Sequence, residues 1–194
     1  MNSPWLYLIL QSEILMRLEQ NLSKQQGWIE YSLYPLFSPQ SLIAEGSANY
    51  GIDVAFPGES RIEFEKEVLF PLAGIDPAQA DLYYEILALR AKLSYARNEV
   101  ARAYINGDVD REGGAALVQK YLLMSPERAL QSMSFIDKYR SYVINYNLGK
   151  DLVADFIERN GGTTDNPERR WEVFTYLLSN PYTASSMANK TLEK

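Results

Sequence analysis

Five times in this chain a side chain able to cap a helix stands directly before a proline: Ser3-Pro4, Ser38-Pro39, Asp76-Pro77, Ser125-Pro126 and Asn166-Pro167. A capping oxygen accepts from a first-turn N–H that has no partner inside the helix. Proline suits the first helical position because no N–H is needed there. Each pair precedes a stretch whose apolar residues recur at helical spacing, and nothing alternates at period two for long enough to demand a sheet. The pattern predicts an all-α protein, a single helical domain of about seven to nine helices over residues 1–180. Residues 181–194 read as a polar C-terminal tail that frays.

Taken in order, a first helix is expected over 4–22, with Leu8, Leu15, Leu18 and Leu22 inward, and a short one over 28–36. The Ser38 helix should reach about Phe56, where Pro57-Gly58 stops it. Ser60 and Glu63 have capping-box spacing and start a helix that ends near Pro71. From Asp76, Leu82, Ile86, Leu89, Leu93, Ala96, Val100 and Tyr104 predict the longest helix, closed by Asn106-Gly107. Asp110 opens the next, and Pro126 another with a break near Ser134. A further segment runs from Tyr139 to Leu148, with Gly149 and Gly161-Gly162 as stops. Pro167 to Leu178 is the last helix.

Composition narrows the chemistry. A hydrophobic fraction of 46%, with 14 Tyr, 7 Phe and 3 Trp, suits a packed core. The net charge is −6 and the sequence holds no block of Lys or Arg, so the footprint of a nucleic-acid or anionic-membrane partner is missing. There is no cysteine and no histidine, which removes thiolate chemistry, the commonest metal ligand and the commonest general base. The apolar Trp5–Leu10 stretch lacks a basic flank and a small-residue cleavage site. It also falls far short of the ~20 residues of a membrane span, so a cytoplasmic protein is expected.

The candidate site centres on Ser38 to Gly51. Leu42, Ile43, Gly46 and Tyr50 define an inward helix face, and Glu45 sits among them. A carboxylate there must be protonated, ion-paired or bound to a cation. Gly46 costs the helix about 1 kcal/mol relative to alanine, a penalty tolerated where another backbone packs close. Tyr139, Tyr142 and Tyr146 recur at i, i+3 and i+7, a stripe that either lines a cleft or belongs to the core, with Arg140 alongside. Glu59, Glu63, Glu65 and Glu67 read as an exposed acidic face. Arg90 and Arg97 read as surface ion-pair partners for Glu85 and Glu99. Gly113-Gly114 lacks the pattern of a phosphate loop.

Glu45-Gly-Ser-Ala-Asn-Tyr50 resembles the E-G-x-A-x-Y motif of the bacterial domain-of-unknown-function 885 family, helical proteins related to zinc metallopeptidases of the H-E-x-x-H type. Phe56-Pro-Gly58, Leu89-Arg-Ala91, Ser125-Pro-Glu-Arg-Ala129, and Tyr139-Arg140 through Tyr146-Asn-Leu-Gly149 follow in an order similar to the C-terminal part of that family. The resemblance covers most of this chain and the last third to half of a full-length member. It implies a helical frame in which Glu45 would complete a zinc site. Tyr146 and Gly149 match a Y-x-x-G element near substrate, and Tyr146 and Arg140 become candidate catalytic residues. The family's zinc-ligating His pair departs: the second His would fall near Tyr7 to Ser12, where Leu10 and Gln11 stand, and the first, with the catalytic Glu, would precede Met1.

Catalytic zinc takes three protein ligands, so no cofactor is expected for this chain alone, zinc belonging to full-length relatives. Two readings follow from the resemblance. One is a truncated, hydrolase-like metallopeptidase domain lacking its His ligands and inactive by itself. The other is a non-enzymatic helical scaffold, or a binding protein for a peptide, small polar ligand or partner protein. A cut fold exposes apolar surface, so a homodimer or an upstream polypeptide is expected to cover it, with a peptide as candidate ligand for the cleft. Left without a cation in that cleft, Glu45 has three options, a raised pKa, a bridging water or a replacement partner, for which Arg140 is the candidate; the unpaired or water-bridged case is the one expected.

Overall fold

A computed structural model describes residues 16, 19–33 and 35–192. The fold is all-α, and the described residues include no strand. Eight α-helices of six or more residues are present among them. They are α1 (Pro39–Ala55), α2 (Ala80–Lys92), α3 (Ala96–Asn106), α4 (Arg111–Leu122), α5 (Pro126–Tyr139), α6 (Leu148–Arg159), α7 (Pro167–Leu178) and α8 (Ala184–Asn189). None of the described helices is long and apolar enough to cross a membrane.

The start signals work largely as their chemistry demands. The Asp76 carboxylate accepts from Ala78 N at 2.9 Å, Ser125 Oγ from Arg128 N at 3.4 Å and Asn166 Oδ1 from Arg169 N at 3.3 Å. Ser38 is the exception. Its extended backbone and Pro39 set up α1, but Ser38 makes no side-chain cap bond and its Oγ is buried without a partner. Most of the helix expected over 4–22, with its Ser3-Pro4 start, lies outside the described residues. Its end is the π-helical Glu19–Gln25, with Leu22 buried. The expected 28–36 helix is only a 3-10 turn at Ile29–Ser32.

The chain divides into two compact units. One combines the described residues up to Gly58 with those from Asn145 onward, and holds α1, α6, α7 and α8. Its core includes Ile43, Val54, Phe156, Ile157, Phe174 and Leu177. Nearly every side of α1 is covered, because Ile43 through Ala48 are all buried, so this is a central helix and not one with a single inward face. The stretch expected to fray is ordered as far as Leu192. Thr183 and Ser186 form a capping box, Met187 is fully buried, and Leu192 N donates to Asn160 Oδ1 at 2.5 Å. Tyr182 and Met187, two buried anchors in a polar stretch, suffice to seat it.

The other unit, Glu59–Ile144, has Val100, Val118, Met133, Ile136 and Val143 in its core. The helix expected from Asp76 to Ile105 is two. At Leu93–Tyr95 the bonds tighten to i→i+3, Leu93 N to Arg90 O at 3.0 Å and Ser94 N to Ala91 O at 3.1 Å. One 3-10 turn redirects the chain so that Val100 and Ala101 of α3 face the core, while Leu82, Ile86 and Leu89 of α2 and Leu93 at its C-cap stay exposed. The longest helix is therefore α1, at 17 residues. Conversely, α5 does not break at Ser134, whose hydroxyl donates to Leu130 O at 3.1 Å within the helix.

The acidic run is not wholly solvent-facing. Residues 60–72 are helical with a π turn at Glu65–Leu69, which turns Glu65 inward. Arg61 Nε donates to Glu65 Oε1 at 2.7 Å, and Tyr84 donates its hydroxyl to Oε2. Burial alone would raise the Glu65 pKa, but the bonds from Tyr84 and Arg61 outweigh it and hold the carboxyl below its usual value. Burial and the bond to Glu65 push the Tyr84 phenol up. The lowered carboxyl contributes stability that is present above its unfolded pKa of ~4.3 and lost as pH falls through the folded value. The raised phenol contributes stability present below ~10 and lost as pH rises through its folded value. Urea melts from pH ~3 to ~11 should therefore show both limbs, and Tyr84→Phe should shrink both, the phenols of Tyr104 and Tyr182 leaving part of the alkaline one. An unchanged alkaline limb in Tyr84→Phe would exclude the Tyr84–Glu65 bond as its source.

Candidate functional site

The Glu45 motif sits on α1 where that helix crosses α6. Gly46 is the reason the crossing is close. A Cβ built on Gly46 would lie 2.3 Å from both the C and O of Gly149, and one on Gly149 would lie 2.5 Å from Leu42 O. Two glycines bring the backbones together where any side chain would hold them apart. Gly149 is thus not a stop: it lies in the first turn of α6, at the point of contact.

Around this crossing each motif position has a structural partner. Glu45 is 6% exposed. Asn49 Nδ2 donates to Glu45 O at 2.9 Å and also to Tyr146 O at 3.1 Å, tying α1 to the chain just before α6. Ser47 Oγ returns to Ile43 O at 2.6 Å, and Ala48 is fully buried. The Tyr50 hydroxyl accepts from Arg170 Nη2 at 2.8 Å, and the guanidinium carbon lies 5.2 Å from the Tyr50 ring centre. Lys150 and Asp53 form an ion pair at 2.7 Å on the half-exposed rim.

Arg170 escaped sequence reasoning. It is 5% exposed on α7, and its Nη1 donates to Asp53 O at 3.1 Å. In an uninterrupted helix that carbonyl would accept from residue 57, but Pro57 has no N–H. The guanidinium therefore supplies the missing donor at the negative end of the α1 dipole. A signal was present in the sequence: Arg170, Val173, Phe174, Leu177 and Leu178 follow helical spacing, so an arginine occupies a place on the apolar stripe of α7.

The proposed site residues do not all come together. Glu45 and Tyr146 belong to one unit, and the Tyr146 backbone is tied to the motif through Asn49. Arg140 belongs to the other unit and is exposed. The tyrosine stripe is not a helix face either. The α5 helix stops at Tyr139, and Arg140 takes φ 53° and ψ −125°, after which residues 140–145 form a 3-10 turn. That reversal of φ takes Tyr142 and Tyr146 off the α5 helix, although the Tyr139 and Tyr142 rings still meet with centres 6.0 Å apart. Tyr142 is buried and Tyr139 and Tyr146 are half-buried.

Zinc, which the resemblance implies, does not fit these residues. No group of three or more His, Cys, Asp or Glu that could hold a metal occurs among the described residues, and the whole sequence has no His or Cys. Glu45 stands as a single carboxylate beside a backbone-to-backbone contact, where three protein ligands would be needed. No family model matches the chain, and no curated protein or solved structure matches it either.

Proposed function

We propose that this chain is a metallopeptidase-like helical domain that is inactive by itself and acts as a non-enzymatic scaffold. The observation that carries this reading is the Gly46–Gly149 contact. The residues that resemble a peptidase motif are engaged in holding helices together: Gly46 for close approach, Asn49 as a bridge to Tyr146 O, Tyr50 as acceptor for Arg170. Those roles are complete without a substrate. A motif can persist in a chain for its architecture after the chemistry it once served has lost its other members.

The reading predicts that purified, untagged protein carries zinc far below one equivalent and that a chelator leaves Tm unchanged, because no structural metal contributes to folding. It also predicts no hydrolysis of a peptide library with or without added zinc. One equivalent of zinc, or hydrolysis that disappears in Glu45→Gln, would overturn it.

A further inference from the structure

Two opposite sides of α2 carry apolar residues on a wheel of about 100° per residue, with the half-buried Tyr83 and Leu87 between them. Ala80 and Tyr84 face their own unit: Ala80 is fully buried, and Tyr84 donates to Glu65 and stacks 6.5 Å from Phe70. Leu82, Ile86, Leu89 and Leu93 fall within about 60° on nearly the opposite side. They are 64%, 46%, 54% and 39% exposed. A helix with one apolar stripe covered and a second left in water is the form taken by an interface helix.

The spacing of the exposed stripe identifies the occupant. Steps of four, three and four residues are the repeat by which two helices pair along a shared seam. Glu85 and Arg90 flank the stripe on opposite sides, both exposed, and among the described residues neither has an ion-pair partner. Within one helix they point away from each other. Across two parallel copies in register, Glu85 occupies the position that meets the residue five further along on the other helix, and that residue is Arg90. Two-fold symmetry makes the contact twice. An antiparallel pair would instead oppose like charges.

We propose that α2 is the interface of a parallel homodimer, with Leu82, Ile86, Leu89 and Leu93 in the seam and Glu85 paired to Arg90 of the second copy. The inference is independent of whether the Glu45 unit has any activity. One short stripe makes a small interface, so association in the micromolar range is expected.

Sedimentation equilibrium of the full chain tests it. Wild type should be dimeric at tens of micromolar, and Leu89→Glu should be monomeric with unchanged helical circular dichroism. At low salt, Glu85→Arg and Arg90→Glu should each weaken the dimer about tenfold by turning two attractions into two repulsions. The combined swap should recover most of that loss. A wild-type monomer up to ~100 μM, a dimer that survives Leu89→Glu, or a combined swap no tighter than either single reversal would overturn the proposal.

Discussion

Gly46→Ala should destabilise its unit by more than about 3 kcal/mol, the upper end of what overpacking costs. Two effects oppose each other. Alanine gains about 1 kcal/mol over glycine in a helix interior. Against that, the new methyl would sit 2.3 Å from the Gly149 backbone carbonyl, and a backbone cannot rotate aside as a side chain can. Relief requires the two helices to separate along the crossing that anchors the core, which removes contacts well beyond the glycine. Gly149→Ala should behave alike, since its methyl meets Leu42 O at 2.5 Å. Because either change opens the same crossing, the double variant should cost clearly less than the sum. Gly114→Ala is the contrast: its methyl meets Met133 Cε at 2.6 Å, the end of a flexible thioether that can shift, so the loss there should be near 1 kcal/mol or below. Urea denaturation of the four variants provides the comparison. A Gly46→Ala protein as stable as wild type would mean that the helices slide apart freely, and the account of the motif would fail with it.

What the sequence made legible was local. Caps, prolines and glycine stops act within one turn, so α1, α4 and α7 are legible almost to the residue, as is the stop at Gly107, with φ 83°. The close approach at Gly46 was also legible, because a glycine inside a capped helix carries a cost that a neighbouring backbone can justify. Longer-range facts were not. The turn at Leu93–Tyr95 contains no Gly or Pro, and the apolar spacing runs straight through it. Which side of α2 meets its own unit depends on Glu65, and that residue turns inward only because of a π turn that no sequence pattern marks. Among the candidate site residues, Glu45 and Tyr146 were placed in one unit by the topology. Arg140 was not, because the single positive φ that ends α5 breaks the periodicity on which the stripe rested. Burial of Tyr182 and Met187 decides the fate of the C-terminal stretch, and two anchors among polar residues look like a tail until they are seen in contact with the core.

Arg170 offers the sharpest test of how α1 is held. The guanidinium is buried, and it donates to two neutral acceptors, the Tyr50 hydroxyl and the Asp53 carbonyl. It also lies over the Tyr50 ring, and its Nε has no partner. Burying the cation is costly, yet the residue answers a need created by Pro57, which leaves the Asp53 carbonyl at a helix end without its usual donor. Arg170→Met keeps an unbranched apolar stem but strands both acceptors, so a loss of about 2–4 kcal/mol is expected. Tyr50→Phe removes one acceptor only and should cost about 1–2 kcal/mol. In the double variant the Tyr50 hydroxyl no longer awaits a donor, so the total should fall short of the sum by at least ~1 kcal/mol. Pro57→Ala supplies the missing N–H and should lessen the cost of Arg170→Met, provided α1 extends by one residue to use it. Strict additivity of Arg170→Met with both partners would show that the arginine acts through packing of its stem alone, and would remove it from the account of how α1 ends.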